Sequence, residues 1–233
     1  MRLEDLNWMD VEAYLEKDDR IIIITGATEQ HAYLSLLTDI IIPSKIADAV
    51  AEREKVLIAP PLNFGYSRYF AAFPGTISLT QNTLNTVILE IFECLLHQGF
   101  RRFFFLNGHG GNQMPTFLNE IHEKDDALNV VWYNWWREKA VQNFGKRHDL
   151  RLNHANWGEN FPFNRVAESP AEVKEWVERL DDDNDIYNIR QQIGDGSFGG
   201  PYEVKDDLMN QLFSEVVDEA TALVHALWAA LNF

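Results

Sequence analysis

The sequence lacks the features typical of secreted, membrane-spanning and nucleic-acid-binding proteins. Its one cysteine, Cys94, can form no disulfide within the chain, which indicates a reducing cytoplasm. Basic residues are few, 20 against 36 acidic ones, and the net charge of −16 argues against nucleic acid or an anionic membrane as partner. There is no signal-peptide pattern and no apolar run of membrane-spanning length. We therefore expect a soluble, cytoplasmic protein, with Cys94 buried as a small apolar residue.

Apolar residues are abundant, and they exclude a disordered chain. Hydrophobic residues make up 46% of the 233, with 15 Phe, 7 Trp and 7 Tyr among them. A chain of this length can bury a sizeable core within one α/β domain. Because the sequence has no repeats and no shift in composition, we expect residues 1–233 to form a single domain.

The stretch IIIITGATEQHAYLSLLTD, residues 21–39, joins a β-branched run to potential metal ligands. The isoleucines are typical of a strand buried on both faces of a parallel sheet, and Gly26 should end that strand. Ligands of open α/β sheets bind beyond the carboxyl ends of the strands, where the next loop should place Glu29 and His31. With Asp39, these side chains suit Zn²⁺, Mn²⁺ or Fe²⁺. Capping or turn roles for the acids and a hydrogen-bonded loop role for the histidine are the alternatives.

Short apolar runs and helical patterns continue along the chain. Strands are expected at residues 20–25, 56–59, 103–106 and 130–133. Helices are expected in residues 11–17, capped by Asp10, in 40–55 from near Pro43, and in 81–98, 114–124, 169–185 and 208–231. The loop of residues 63–75 is expected at the rim of a pocket, with an aromatic-packed surface loop as the alternative, and the glycine loop of residues 194–207 could close over that pocket.

The sequence RRFFFLNGHGGN, residues 101–112, repeats the arrangement of strand and loop. His109 should therefore lie at the carboxyl edge of the sheet, where the neighbouring glycines let the backbone approach a ligand closely. A phosphate cradle is the competing interpretation, but the Walker and dinucleotide spacings are absent. A Rossmann-like enzyme would also need a Gly-x-Gly-x-x-Gly turn after the first strand, and GATEQH does not supply one.

Five motifs carry a resemblance to a known family. GATEQH with a downstream TD, FPGTISL, FLNGHGGN, HANWGENFP and GDGSFGGP resemble, in order and approximate spacing, motifs of the creatininase family of metal-dependent amidohydrolases. The resemblance covers nearly the whole chain. It implies a three-layer α/β/α sandwich with a mainly parallel central sheet, a site for two metal ions, and a homo-oligomer that is commonly a hexamer.

The resemblance also implies a set of metal ligands. The Glu-x-His pair of the family falls on Glu29 and His31, its bridging aspartate on Asp39, and the histidine of its Asn-Gly-His motif on His109. One metal ion, Zn, Mn or Fe, would then be held by Glu29, Asp39 and His109. A second would be held by His31, Asp39 and Glu159.

Further site residues come from NHANWGENFPFNR, residues 153–165. Many members have a glutamate five residues after a histidine, and His154 and Glu159 keep that spacing although Asn-Phe replaces the Thr-Ser that follows. The resemblance implies that His154 protonates the leaving nitrogen, a role suited to an imidazole. It makes Glu159 a carboxylate of the catalytic site and Trp157 part of the pocket wall.

The implied activity is hydrolysis of a C–N amide-type bond in a small molecule, such as a cyclic amide or a formamide, by a water that two metal ions activate. The chain departs from the family pattern in two places. Gly111 stands where creatinine-hydrolysing members have a carboxylate, and residues 32–34 read Ala-Tyr-Leu instead of Gly-Pro-His in a segment one residue shorter. The alternative is a non-catalytic metal or small-molecule binding protein of the same fold, and the presence of both His154 and Glu159 counts against it.

Overall fold

The computed structural model of the chain describes residues 1–122, 127–181 and 185–229. Its strands are β1 (Arg20–Thr25), β2 (Leu57–Ile58), β3 (Arg102–Asn107) and β4 (Asn129–Asn134). Within the described ranges they form one sheet in the order β2-β1-β3-β4, and each neighbouring pair is parallel. The predicted strands and their parallel arrangement are confirmed.

The helices of the described residues surround this sheet. They are α1 (Trp8–Leu15), α2 (Thr38–Glu54), α3 (Gln81–Gln98), α4 (Thr116–His122), α5 (Lys139–His148), α6 (Ile186–Ile193) and α7 (Asp206–Ala229). None of these helices, in the part of the chain that the structure describes, is long and apolar enough to cross a bilayer. Parts of the predicted helices, at residues 123–124, 182–184 and 230–231, lie outside the described residues.

The sheet is buried between two layers of helices. Side chains of successive strand residues point to opposite faces, and the register places Ile22 beside Phe104 and Ile21 beside Phe103. Ile22 and Phe104 pack in the apolar cluster that contains residues of α2, α5 and α7, whereas Ile21 and Phe103 pack in the cluster that contains residues of α1, α3 and α4. The predicted three-layer α/β/α sandwich is therefore confirmed.

Helix α3 follows the predicted pattern except at its cysteine. Leu84, Ile88 and Phe92 are buried on one face, and Gly99 ends the helix with a φ of 116°, which a residue with a side chain rarely adopts. Cys94 lies off that face and is exposed. The prediction that Cys94 is buried is wrong, because the apolar stripe of α3 is narrower than the run of apolar letters suggests.

Two helices begin earlier than predicted. The side chain of Asn7 accepts hydrogen bonds from two N–H groups of α1, at 2.9 and 3.3 Å, and the Asp10 carboxylate accepts the Asn7 N–H at 3.2 Å. Asp10 is therefore the third residue of a capping box and not the cap itself. Helix α2 begins well before Pro43, whose missing N–H leaves the backbone carbonyl of Asp39 without its usual partner within the helix.

The predicted acidic helix near residues 169–185 is wrong for its described part, residues 169–181, where no helix forms. The segment is extended, and Lys174 and Gly200 exchange backbone hydrogen bonds of 3.2 and 2.9 Å. The N–H of Val177 donates to the carbonyl of Phe198 at 3.0 Å, and the Val177 side chain packs on an aromatic cluster. The glycine loop therefore supplies the backbone hydrogen-bond partners that a helix would have supplied within the segment itself.

Candidate metal site

Five potential metal ligands meet at the carboxyl ends of β1 and β3, whose register aligns the two strand ends. Glu29 and His31 follow β1, and His109 follows β3. Asp39 lies in the first turn of α2, and Glu159 lies in a 3₁₀ turn. The structure thus brings together all five residues that the sequence singled out as ligands, and the four from the strand ends and α2 are each at most 5% exposed.

Asp39 lies between two histidines. Its Oδ2 is 2.8 Å from His109 Nδ1, and its Oδ1 is 3.1 Å from His31 Nε2. Glu29 Oε2 lies 3.6 Å from His109 Nε2, and Glu159 Oε2 lies 3.9 Å from His31 Nε2. Potential ligand atoms of Glu29, Asp39 and His109 all lie within 4.8 Å of one another, and so do those of His31, Asp39 and Glu159.

Several polar atoms at this centre are buried without a hydrogen bond. Within the described part of the chain, Glu29 Oε2, His31 Nε2 and Asp39 Oδ2 make none. A buried polar atom is normally hydrogen-bonded, and leaving it unpaired is costly. Two carboxylate oxygens and an imidazole nitrogen that face one another in this way have the donor chemistry of a transition-metal site. The residues present therefore fit the metal ions that the resemblance implies.

The outward nitrogens of the two histidines orient their rings. His31 Nδ1 lies 3.1 Å from the backbone carbonyl oxygen of Glu29, and His109 Nε2 lies 2.8 Å from that of Tyr66. Because a carbonyl oxygen can only accept a hydrogen bond, these two nitrogens carry the protons. In the neutral imidazoles the lone pairs of His31 Nε2 and His109 Nδ1 therefore point toward Asp39, as metal-binding histidines require.

The carboxylates raise the pKa of both histidines. Burial by itself would lower the pKa of His31, but the charges of Asp39, Glu159 and Glu29 outweigh it and raise the pKa to about 10. Burial is likewise outweighed at His109, where Glu29 and Asp39 raise the pKa to about 9. Without a metal ion, protons on these imidazoles compensate the buried negative charge.

The carboxylates of Asp39 and Glu159 differ in their electrostatic environments. Burial would raise the pKa of Asp39, but the adjacent His31 and His109 hold it below the usual range. Burial raises the pKa of Glu159 to about 7, although His31 opposes the rise and the Ala155 N–H donates to Glu159 Oε2 at 2.6 Å. A cation bound next to Glu159 would favour its charged form.

Two asparagines fix the loop that carries His109. Asn107 Nδ2 donates to the His109 carbonyl at 2.8 Å, and Asn107 Oδ1 accepts from Thr25 Oγ1 at 3.0 Å. Asn112 Nδ2 donates to the Gly26 carbonyl at 3.1 Å. These bonds join the loop after β3 to the end of β1, so they fix the positions of the potential ligands on the two loops relative to each other.

His154 lies beside this centre, with its Nδ1 3.8 Å from Glu29 Oε1. Its ring stacks on Phe70, with centroids 4.4 Å apart, and meets the edge of Phe198 at 5.9 Å. Burial, together with the nearby His31, lowers the pKa of His154 well below its usual value. Glu29, His31 and His154 also form a third group with ligand-type spacing, so geometry alone allows His154 to be a ligand.

Trp157 occupies a different place from the predicted pocket wall. The side chain is fully buried in the apolar cluster beneath α5, where it stacks on Phe144 with centroids 6.2 Å apart. Its Nε1 donates to the Arg151 carbonyl at 2.9 Å. Trp157 therefore supports the segment that carries His154 and Glu159 from below, because its ring is directed into the core.

A cavity of about 970 Å³ opens above the ligand cluster. Its wall includes residues of the predicted rim loop, Tyr66 to Phe70, together with Trp136 and Phe198 from other segments. Although the chain has a net charge of −16, five basic side chains also line the cavity. They are Arg68, Arg137, Lys146, Arg151 and Arg179. The expectation that residues 63–75 lie at the rim of a pocket is confirmed.

The glycine loop lies against the same cavity through Phe198. Lys174 anchors this loop, because its Nζ pairs with Asp195 and donates to the Ser197 carbonyl at 2.7 Å. Gly196 in the loop has a φ of 104°, and a Cβ there would lie 1.8 Å from Oε1 of Gln30. The glycine loop can therefore approach the loop that carries Gln30 only with a glycine at this position.

Gly111 is required by packing. A Cβ at this position would lie 2.0 Å from the Tyr66 carbonyl oxygen and 2.6 Å from His109 Nε2. That same carbonyl accepts the His109 ring proton. The carboxylate of creatinine-hydrolysing members consequently has no space here without a shift of the rim loop.

Sequence reasoning missed three residues next to His154. Phe70 and Phe198 enclose its ring, and Gln30 contacts its Nε2 at 2.8 Å. The position of Gln30 inside the Glu-x-His motif was a usable signal, because its neighbours on both sides were already candidates. Nothing in the sequence indicates that Phe70 and Phe198 meet, since they come from segments far apart in the chain.

Parts of the chain are similar in sequence to known enzymes. The chain is 33% identical over 117 residues to creatinine amidohydrolase of Pseudomonas putida, covering 47% of this chain and 45% of the relative. It is 33% identical over 99 residues to the mycofactocin precursor peptide peptidase of Mycolicibacterium smegmatis, covering 40% of each. These matches span less than half the length of those two curated relatives.

Structural comparison shows the same fold. A solved creatininase with manganese superimposes with a TM-score of 0.75 at 22% identity, over 97% of each chain. The family model described as creatininase, creatinine amidohydrolase, matches residues 4–224. The match covers the sheet, the ligand cluster and the glycine loop, so the chain belongs to the creatininase family.

Proposed function

We propose that the chain is a metal-dependent hydrolase of a C–N amide-type bond in a small molecule, such as a cyclic amide or a formamide. One observation carries the proposal. Two groups of buried carboxylates and histidines share Asp39 at the base of a cavity large enough for a small molecule. The amidohydrolase and the peptidase among the relatives support a C–N bond as the target.

The ligand sets follow the two groups. Glu29, Asp39 and His109 would hold one transition-metal ion, Zn, Mn or Fe, and His31, Asp39 and Glu159 would hold the second. When bound, such a pair of ions supplies an activated water and polarises the carbonyl of the amide. The protein orients the ligands through the carbonyls that accept the outer protons of His31 and His109.

His154 would act at the departing nitrogen. Its Nδ1 faces the ligand cluster, Phe70 and Phe198 pack against its ring, and the residue lines the cavity. The ring centroids of His154 and His31 lie 4.5 Å apart. The homo-oligomer implied by the resemblance stays a prediction, which light scattering would test.

Removal of metal tests the proposal directly. We expect chelation to abolish amide hydrolysis, and Zn²⁺, Mn²⁺ or Fe²⁺ to restore it, because the ligand set is of mixed nitrogen and oxygen type. Metal analysis of the replete protein should find up to two ions per chain. The assay is a panel of cyclic amides and formamides, with metal content and melting temperature recorded in parallel. Restoration by Ca²⁺ alone, or full activity with no metal bound, would contradict the proposal.

Metal binding should also release protons. His31 and His109 have pKa values of about 10 and 9, so at pH 7 both imidazoles are positively charged. Each must lose one proton before its nitrogen can bind a metal ion. We expect at least two protons released per chain, because Glu159, with a pKa of about 7, also gives up part of a proton at pH 7. Affinity should rise with pH up to about pH 10, where His31 has lost its proton. Calorimetry at pH 7 in two buffers of different ionisation enthalpy measures this release. Binding that is independent of buffer and pH would mean that these imidazoles are not ligands.

A further inference from the structure

We propose that Gln30 is a positioning residue that fixes the tautomer of His154, with the proton on Nδ1 and the lone pair on Nε2. In this form His154 acts as a hydrogen-bond donor to the bound substrate and is not a metal ligand. The catalytic part of this inference rests on the proposed function, whereas the tautomer itself does not depend on any activity.

The orientation of the Gln30 amide is determined by two backbone groups. Gln30 Oε1 accepts the Ala32 N–H at 3.1 Å, and Gln30 Nε2 donates to the Gly196 carbonyl at 3.0 Å. Turning the amide over would place its NH₂ group against an N–H and its oxygen against a carbonyl oxygen, and both contacts would be repulsive. The amide nitrogen must therefore face Gly196, and it has a second hydrogen left to donate.

That second hydrogen points to His154. Gln30 Nε2 lies 2.8 Å from His154 Nε2, a normal hydrogen-bond distance. Because the amide nitrogen can only donate, His154 Nε2 must accept, so that ring nitrogen carries no proton. A neutral imidazole with an unprotonated Nε2 has its proton on Nδ1. This Nδ1 is the atom that faces Glu29 Oε1 at 3.8 Å.

The assigned tautomer decides between the two roles left open by geometry. To join Glu29 and His31 around a metal ion, His154 would need a lone pair on Nδ1 as well as the one given to Gln30. Both ring nitrogens would then be unprotonated, which is an imidazolate. His154 is consequently excluded as a ligand and presents an N–H to the cavity, where it can stabilise charge that develops on the substrate.

The same tautomer narrows the predicted proton transfer. A neutral imidazole that gave its Nδ1 proton to the leaving nitrogen would itself become an imidazolate, and Gln30 opposes a second proton on Nε2. Hydrolysis still balances, because the attacking water provides OH to the carbonyl carbon and H to the nitrogen as the C–N bond breaks. His154 donates a hydrogen bond during this step and keeps its proton.

The test is nitrogen NMR of histidine-labelled protein, metal-free and with diamagnetic Zn²⁺. The His154 signals are identified by their absence in His154→Gln. We expect the wild type to show a protonated Nδ1 and an unprotonated Nε2. In Gln30→Glu, which changes an amide donor into an acceptor, we expect the proton to move to Nε2. A wild-type His154 with its proton on Nε2, or on both nitrogens, would overturn the proposal whether or not the protein hydrolyses amides.

A second variant guards against a folding defect. Gln30→Glu places an oxygen against the Gly196 carbonyl, so Gln30→Met, which removes both polar contacts at similar length, is measured beside it. Both variants should keep the wild-type metal content. On an active substrate we expect kcat of both Gln30 variants to fall by a factor at least ten times larger than the change in KM. Because His154 keeps its proton, the pH profile of the wild type should have the same limbs as that of His154→Gln. A wild-type His154 tautomer retained in Gln30→Met would show that Gln30 does not set it.

Discussion

Replacing Asp39 with alanine should remove both metal ions and reduce amide hydrolysis below detection. The two oxygens of Asp39 lie 3.1 and 2.8 Å from His31 and His109, so the same carboxylate serves both ligand groups. Its loss also removes the negative charge nearest to both buried imidazoles, so binding of a cation there becomes less favourable as well as losing its shared ligand. Metal content per chain, melting temperature and turnover are the measurements.

Single-site variants separate the shared ligand from the others. His109→Ala and His31→Ala should each weaken one ion preferentially, because only Asp39 belongs to both groups. Glu52→Ala, at an exposed acid of the same helix, is the matched control and should keep both ions. An Asp39→Ala protein that retains two ions would refute the shared assignment.

Replacing His154 with alanine should keep both metals and the fold while turnover falls on the order of 10²–10⁴-fold. The reason is that neither ligand group needs His154, whereas its Nδ1 faces the cluster at which the substrate would bind. Glu159→Gln should behave in the opposite way and lose affinity for one ion, because a neutral amide replaces a charged ligand. His97→Ala, at an exposed position of α3, is the control.

A purely structural role for His154 predicts a different result. The ring stacks on Phe70 and accepts a hydrogen bond from Gln30, so its loss could lower the melting temperature by itself. In that case the rate per folded molecule would hardly change. Turnover, metal content and melting temperature of both variants on one active substrate distinguish the two roles, and unchanged turnover in metal-replete His154→Ala removes the residue from the reaction.

The strands and the potential ligands could be predicted from the sequence because both depend on local pattern. Four consecutive isoleucines in β1 must be covered on both faces, which requires a helix layer on each side. Once β1 and β3 are parallel neighbours, the loops that follow them end at the same edge, so Glu29 and His109 meet. Asp39 is placed by the short connection to α2.

The remaining features depend on partners distant in sequence. Residues 169–181 have the composition of a surface helix, but the glycine loop around Gly200 offers backbone partners that no local pattern reveals. Helix α5 was missed because its mixed charge hides Val141 and Phe144, its buried face. The Glu-x-His motif places Gln30 near the site, but its contact with His154 joins residues 124 apart in sequence, and neither motif indicates that these two side chains meet.

The backbone carbonyl of Asp39 imposes a constraint of its own. Pro43 cannot donate to it, and the backbones of Gly26 and Gly108 pack so close that a Cβ on either would lie 2.3 or 2.0 Å from its oxygen. Any side chain at those two positions would push α2 away from the sheet, and Asp39 with it. Gly26 and Gly108, at the ends of β1 and β3, therefore leave the space that keeps α2 near enough for the Asp39 carboxylate to reach both histidines.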